Sequence, residues 1–284
     1  MRHIPLIALS LVAGITLAAC SKPNVADVDK EIDGVNVIDA TNLNDIMMTV
    51  ADPNEAVDYF QRALKQEPDR VEFKRGLAKS LIRAKRASEA ALVYTKLETS
   101  GEMEHEDRVD FADALIRTND WDRAENQLNK IPPTYETFKR YRLEAMIADS
   151  NKNWKKADSF YETAVGLTTK PAGVLNNWGF SKLTRGEYAA AEKLFLESIT
   201  YSPDLYTAKN NLVLARAAQR KYTLPVIQMT QIEKAELTHT LAITAIKQGD
   251  IEIGRGLLED AIETHPQHFD AAVRTLAALN KQRN

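Results

Sequence analysis

Small and bulky hydrophobic residues recur along the chain at a nearly constant interval. Five times, a small residue is followed four positions later by an aromatic residue or leucine, and the small residues are 34, 34, 33 and 34 positions apart. The pairs are Ala56/Phe60, Ala90/Tyr94, Ala124/Leu128, Ala157/Tyr161 and Ala191/Phe195. A spacing of four places both residues on one face of an α-helix. A repeat of this length is typical of solenoids, so the pattern predicts a row of stacked helices.

Polar turns and prolines divide the chain into paired helical segments. The predicted pairs are 42–50/53–66, 71–84/87–98, 106–118/121–130, 135–150/154–166 and 172–185/188–200, followed by the single segments 205–220, 231–248, 250–264 and 268–282. Pro225 and its β-branched neighbours disfavour a helix between Tyr222 and Met229, so we expect an extended crossing there. In the 172–200 hairpin, Gly179 and Ala191 are expected to face each other where the helices cross.

The composition is that of a folded protein with little turn-forming sequence. The 284 residues include 37 Lys and Arg against 40 Asp and Glu, for a net charge of −3, which excludes a protein that coats polyanions. Only 11 Gly and 10 Pro are present, which favours long helices with short connections. One cysteine excludes an intrachain disulfide framework and a multi-cysteine zinc site.

The N-terminal segment, up to the only cysteine, has the features of a secretion signal. Arg2 precedes a 16-residue uncharged run from Ile4 to Ala19, which fits a signal peptide and is short for a membrane span of about 20 apolar residues. The cysteine, Cys20, follows the tripeptide Leu-Ala-Ala, and this ending resembles the lipobox of bacterial lipoproteins. The resemblance implies that residues 1–19 are removed and that Cys20 carries covalently bound lipid. The alternative is an ordinary secretory peptide with an incidental cysteine.

The residues after the cysteine suggest where the mature protein is located. Ser21 stands where an Asp would retain an enteric lipoprotein at the inner membrane, so the lipobox resemblance favours a lipid anchor in the outer membrane, on its periplasmic face. Residues 20–41 lack a sustained helical period and are predicted to form a flexible tether. Residues 42–284 are predicted to form the solenoid, with about six to seven helical pairs, of which the one near 206–230 is degenerate.

The sequence contains no motif typical of an enzyme or a metal protein. A Gly-rich phosphate loop, a nucleophile elbow and an HExxH sequence are all missing from it. His265 and His268 lie near carboxylates, but a metal site needs three or four converging ligands, and a polar turn beside Pro266 is the simpler interpretation. We therefore expect no catalytic residue, no metal, no cofactor besides the lipid on Cys20, and no nucleic-acid or small-molecule ligand.

One segment shows the repeat unit most clearly. Residues 172–205 contain Trp178-Gly179, Gly186, Tyr188, Ala191, Phe195 and Pro203. This segment resembles the tetratricopeptide repeat, a helix–turn–helix unit of about 34 residues. The resemblance implies an all-α, right-handed superhelical solenoid of antiparallel helix pairs, with a C-terminal capping helix and a concave groove. In tetratricopeptide-repeat proteins, residues at the same positions of the first helix of every repeat line that groove. The matching residues here are Arg75, Lys79, Arg83, Arg117, Lys139, Arg142, Asn176, Phe180 and Asn210.

These residues predict a groove that is basic in its N-terminal half and rich in amide and aromatic groups in its middle. Arg and Asn side chains can bind the carboxylates and backbone of an extended peptide. We therefore expect a protein ligand in the groove. The alternative is an ordinary charged solenoid surface.

Longer segments narrow the resemblance. They are DPNEAVDYFQRAL (52–64), RGLAKSLIRA (75–84), DWDRAENQLNKIPPTYETFKRYRLEAM (120–146), NNWGFSKLTRGEY (176–188), KNNLVLARAAQRKYTLP (209–225) and HPQHFDAA (265–272). They are similar to the TadD family, the repeat lipoproteins of tight-adherence (Flp) pilus assembly. The resemblance implies a membrane-anchored scaffold that binds a pilus secretion protein, with the secretin as the expected partner in a pilotin-like role. The alternative is a periplasmic adaptor that recruits peptidoglycan hydrolases or proteases.

Overall fold

The computed structural model describes residues 43–281, and all regular secondary structure in that range is helical. The helices are α1 (43–49), α2 (Pro53–Gln66), α3 (Val71–Arg83), α4 (Ala87–Ser100), α5 (His105–Arg117), α6 (Trp121–Leu128), α7 (Phe138–Ser150), α8 (Trp154–Gly166), α9 (Ala172–Thr184), α10 (Tyr188–Tyr201), α11 (Tyr206–Ala218), α12 (Gln231–Lys247), α13 (Ile251–Thr264) and α14 (Asp270–Lys281). The proposed signal peptide, the lipidation site Cys20 and the tether lie outside the described residues.

Every helix predicted from the sequence is present, and its ends lie within about three residues of the prediction. From α2 onward, each helix packs against the next one, both within a pair and between neighbouring pairs. Where the repeat pattern would place the second helix of the sixth pair, the chain forms the crossing instead, and α12 packs directly against α11. The result is a continuous row of hairpins, in which each repeat buries the apolar face of its neighbours.

The bulky residue of each periodic pair forms the core of its repeat. Phe60, Tyr94, Tyr161 and Phe195 are almost fully buried, and so is Leu128. The small partner of each pair is also buried, because an alanine side chain allows the neighbouring helix to approach closely. The period found in the sequence is therefore the period of the core.

A glycine on a first helix makes room for the buried aromatic ring of the helix that follows it. A Cβ atom at Gly179 would lie 2.6 Å from Cε1 of Phe195, so the phenylalanine ring rests on the backbone of α9. The sequence predicted that Gly179 faces Ala191; the nearest atoms to the glycine belong to Phe195, which lies one helical turn after Ala191. Gly76 is similar, since a Cβ atom there would lie 2.4 Å from the Phe60 ring.

The turn inside each hairpin also follows one rule. The second residue after each first helix from α3 onward has a left-handed backbone conformation, with φ between 57° and 86°; these residues are Lys85, Asn119, Lys152, Gly186, Arg220 and Gly249. Glycine adopts this conformation without strain, whereas residues with a Cβ atom do so at a cost. Asparagine also tolerates this conformation, so three of these six turns, at Lys85, Lys152 and Arg220, keep their geometry although the local sequence does not favour it.

The expected extended crossing replaces one outer helix. Residues 219–230 contain no helix, and Tyr222, Leu224 and Met229 pack onto a core cluster formed by α11 and α12. The hydroxyl of Tyr222 lies within hydrogen-bond distance of the side-chain oxygens of Gln248 and Asp250, which share its single proton and fix the start of the crossing. The crossing ends at the N-terminal capping box of α12.

Candidate protein-binding groove

The concave face begins with a row of buried carboxylates on α5. Asp107, Asp110 and Asp113 are three residues apart, which places them on one face of the helix, and each is at most 5% exposed. Buried carboxylates require positive partners or hydrogen-bond donors. The neighbouring first helices supply the cations.

Helix α3 provides two of these cations. The Nε atom of Arg75 lies 2.8 Å from Asp107, and its Nη2 atom lies 2.8 Å from Glu104. The Nζ atom of Lys79 lies 2.6 Å from Glu106, and burial lowers the pKa of this lysine less than its acidic neighbours raise it. Both predicted groove cations are therefore neutralised by α5 and the residue before it.

Two further cations complete the network. The Nζ atom of Lys139, on α7, lies 2.6 Å from Asp110 and 3.1 Å from Asp113, so it bridges the two carboxylates. The Nε atom of Arg117 lies 2.8 Å from Asp113. Burial raises the pKa of Asp113, but Lys139 and Arg117 outweigh that effect and lower it overall. The N-terminal half of the groove is thus a network of ion pairs, and this corrects the expectation of a basic surface there.

Arg83 has a different role from the other predicted groove residues. Its guanidinium donates hydrogen bonds to the backbone oxygens of Met47 at 2.8 Å and Ala51 at 2.6 Å. These acceptors lie at the C-terminal end of α1, where carbonyl groups lack partners within the helix. Arg83 therefore fixes the first, short helix to α3, and each of its two terminal nitrogens already donates a hydrogen bond.

Arg142 differs from the other predicted groove cations. Among the described residues, its guanidinium makes no hydrogen bond and no ion pair within 4.0 Å. Its Nε atom is buried without a hydrogen-bond partner, and its guanidinium carbon lies 6.0 Å from the centre of the Phe138 ring. The structure thus leaves one arginine on α7 available to a ligand.

Beyond Arg142, the concave face of α7, α9 and α11 forms an open cavity of about 520 Å³. The residues that line it are Trp121, Met146, Asp149, Ser150, Trp154, Tyr161, Asn176, Asn177, Phe180, Ser181, Thr184, Thr207 and Asn211. Phe180 is 50% exposed, which is unusual for a phenylalanine in a helix of the inner layer. The cavity therefore offers an apolar surface that the protein itself does not cover.

Amide side chains surround this apolar surface. The Nδ2 atom of Asn211 donates a hydrogen bond to Oδ1 of Asn176 at 3.0 Å, and the Oδ1 atom of Asn210 accepts one from Thr240 at 3.0 Å. Within residues 43–281, the amide of Asn177 has only the sulfur of Met146, at 3.9 Å, as a hydrogen-bond acceptor. A side-chain amide has two N–H hydrogens to donate and an oxygen that can accept two hydrogen bonds. These asparagines can therefore still form hydrogen bonds with a ligand.

The carboxylate in this cavity already accepts hydrogen bonds from neighbouring side chains. Asp149 accepts hydrogen bonds from Tyr161 at 2.9 Å and from Ser181 at 2.7 Å, and burial raises its pKa. Within residues 43–281, no group of three or more His, Cys, Asp or Glu side chains is arranged to hold a metal ion. None of the described helices is long and apolar enough to cross a membrane.

Two of the predicted groove residues, Asn176 and Phe180, line the cavity, and Asn210 bonds to α12 through Thr240. Sequence reasoning missed the two aspartates that neutralise the basic residues. Asp107 and Asp110 were not predicted as groove residues, although the three-residue spacing of Asp107, Asp110 and Asp113 was a usable signal. Asn177 and Asn211 were also missed. Each directly follows an asparagine that the repeat pattern did select.

Comparisons with known proteins agree with this architecture. Residues 48–102 match the family model described as tetratricopeptide repeat. A search of curated proteins gives no match. Among solved structures, the chain is similar to a protein in the APC/C hetero-tetramer Cut9–Hcn1, with a TM-score of 0.58 and 13% identity over 80% of this chain and 46% of that one.

Two other solved structures share the fold. Human IFIT1, solved as a dimer with m7Gppp-AAAA, gives a TM-score of 0.56 and 14% identity over 81% of this chain and 59% of its own. A tetratricopeptide repeat protein from Parabacteroides merdae gives a TM-score of 0.52 and 14% identity over 80% of this chain and 92% of its own. At these identities the comparisons establish the fold alone. The all-helical repeat solenoid expected from the sequence is confirmed.

Proposed function

We propose that this tetratricopeptide-repeat solenoid is a membrane-anchored scaffold that holds a protein partner in its concave groove. Solenoids of this kind present extended concave surfaces to other proteins. The finer assignment is an outer-membrane lipoprotein of tight-adherence (Flp) pilus assembly, with the secretin as the partner. Its support is the lipobox-like ending at Cys20 and the segments similar to the TadD family.

The observation that carries the proposal is the cavity on α7, α9 and α11. Its volume of about 520 Å³ lies within the usual range of about 300–1,000 Å³ for ligand pockets. The half-exposed Phe180 provides an apolar contact, and the surrounding asparagines provide donors and acceptors suited to a peptide backbone. An extended protein segment uses both kinds of group at once.

Site-specific photocrosslinking tests which protein binds in the groove. The photoreactive residue p-benzoylphenylalanine replaces Phe180 in the full-length protein, and irradiated cells are examined for covalent adducts. The matched control places the same residue at Leu92, which is 65% exposed on α4, a helix of the outer layer. We expect an adduct with the secretin from position 180 and none from position 92.

The other results have clear meanings. An adduct from position 180 with a peptidoglycan hydrolase or a protease would favour the adaptor alternative. Adducts from position 92 alone would place the partner on the convex surface and contradict the groove proposal. No adduct from either position in cells that assemble pili would also contradict it.

A second experiment tests the anchor independently of the groove. Cys20→Ser removes the thiol to which diacylglycerol would be transferred, so metabolic labelling with a palmitate analogue should label the wild type and not the variant. We expect the wild type in the outer-membrane fraction. Lipid label on the Cys20→Ser protein would contradict the proposed lipidation site.

A further inference from the structure

The unpaired arginine at the edge of the groove indicates what the bound segment contains. Every other predicted groove cation is engaged: Arg75, Lys79, Arg117 and Lys139 contact carboxylates, and Arg83 binds backbone oxygens. Arg142 alone among these six has no such partner within the described residues, and its buried Nε donor is unsatisfied. A buried donor without an acceptor is unfavourable, and residue 142 as a whole is only partly buried, so a ligand acceptor would bind to the exposed part of the guanidinium.

The position of Arg142 connects it to the cavity. It precedes Met146 by one helical turn and Asp149 by two, and both of those residues line the cavity. Asn176, one repeat later on α9, occupies the equivalent repeat position and also lines the cavity. Arg142 is close enough to Tyr161, another lining residue, to oppose the rise that burial causes in its pKa. Arg142 therefore lies on the same face of α7 as two residues that line the cavity.

We infer that Arg142 binds the carboxylate of an Asp or Glu side chain within an extended segment of the partner. This inference rests on the proposed function, since it assigns the chemistry of a ligand to the same groove. An apolar side chain of the segment packs on Phe180, and its backbone bonds to the asparagine amides. Arginine suits this role because its guanidinium donates two parallel hydrogen bonds to a carboxylate.

An internal acidic residue fits better than a chain terminus. Helix α7 packs against α5 as well as against α9, so the row of first helices continues beyond the cavity and the bound chain need not end there. The row of buried carboxylates on α5 lies in that direction, and its negative groups are already paired with cations. A segment can therefore pass along the groove with one acidic side chain directed at Arg142.

Selection from a random decapeptide library displayed on phage tests the inference, because displayed peptides have no free C-terminal carboxylate. The bait is the immobilised full-length protein in detergent, compared with Arg142→Gln and Phe180→Ala variants. Arg123→Gln is the matched control, because Arg123 is an exposed arginine that does not line the cavity and forms an ion pair with Asp120, three residues earlier. Circular dichroism of each variant verifies the fold before selection.

We expect the wild type and the Arg123→Gln control to select peptides with an acidic residue at a fixed distance from an apolar one. The Arg142→Gln variant should lose the acidic preference and keep the apolar one, and Phe180→Ala should do the reverse. A synthetic selected peptide should bind the wild type at least tenfold more weakly when its acidic residue is replaced by the amide. The same replacement should have no effect on binding to Arg142→Gln.

Two results distinguish the inference from the proposed function. If the wild type and Arg142→Gln select the same apolar peptides without acidic residues, the role of Arg142 is refuted and the groove proposal stands. If the folded wild type selects no peptide, the groove itself is refuted as a peptide site. A requirement for a free terminal carboxylate in solution binding would also overturn the inference.

Discussion

Replacing Gly179 by alanine tests whether the repeats depend on direct contact between a phenylalanine ring and a glycine backbone. The added Cβ atom would lie 2.6, 2.8 and 3.0 Å from three carbons of the Phe195 ring. Phe195 is fully buried between α9 and α10, so its ring cannot turn away into solvent. The helices must move apart, and overpacking of this kind costs about 1–3 kcal/mol.

The helix preference of alanine opposes this cost, and it can be measured at a matched position. Gly256 lies in α13 with nothing within 4 Å of its would-be Cβ atom, so Gly256→Ala should stabilise the protein by up to about 1 kcal/mol. Gly179→Ala gains the same helix preference but also overpacks the core, so it should destabilise the protein by up to about 2 kcal/mol. Because the helix preference is common to both variants and cancels, their stabilities should differ by the overpacking cost alone, about 1–3 kcal/mol.

Urea unfolding followed by far-ultraviolet circular dichroism measures these changes. A second variant tests the cause: combining Gly179→Ala with Phe195→Leu removes part of the ring, so the costs of the two changes should be less than additive by about 1 kcal/mol. Equal midpoints for Gly179→Ala and Gly256→Ala would refute the reasoning. Strict additivity with Phe195→Leu would refute the assigned contact.

Three further predictions concern the turns, the ion pairs and the first helix. Lys152→Gly should stabilise the protein by about 0.5–1 kcal/mol in urea unfolding, because glycine adopts the left-handed turn without strain, while Gly186→Ala should destabilise it by about 1 kcal/mol. Lys139 and Arg117 lower the pKa of Asp113 in the folded state, so the stability that this group provides is present above the ordinary aspartate pKa of about 3.9 and is lost below it. Asp113→Asn should therefore reduce the acid-induced fall in the unfolding midpoint. An unchanged fall would contradict the pairing. Arg83→Met removes the hydrogen bonds to the end of α1, so amide hydrogen exchange at Val50 should accelerate while exchange in α9 stays unchanged.

The sequence predicted the helices closely because the repeat carries its own markers. Small residues at the helix crossings and buried aromatic residues one turn later recur at nearly constant spacing, so an error at one repeat is corrected by the next. The crossing around Pro225 was also predictable, since proline and β-branched residues interrupt the pattern locally. The helices and the crossing are both determined by residues that are close together in the sequence.

The electrostatics of the groove could not be obtained in the same way. A positional rule identifies a cation such as Lys139 but says nothing about which carboxylates face it across helices, and Asp110 is 29 residues away in the sequence. The left-handed turns at Lys85 and Arg220 were missed for a related reason. Packing of the hairpin imposes them, against the preference of the residues themselves.

The two halves of the groove therefore respond differently to a partner. In the half formed by α3 and α5, a charged ligand would have to compete with ion pairs whose carboxylates are buried, and leaving a buried charge unpaired costs about 3–5 kcal/mol. On α7, α9 and α11, Phe180 is exposed and the asparagine amides form only part of their possible hydrogen bonds. A ligand there gains contacts without breaking a buried ion pair. Binding should thus concentrate where the surface is uncharged, and its salt dependence should come mainly from Arg142. In Arg142→Gln the affinity for an acidic peptide should become nearly independent of salt concentration, whereas a variant that only weakened the fold would keep the slope and lose affinity at every concentration.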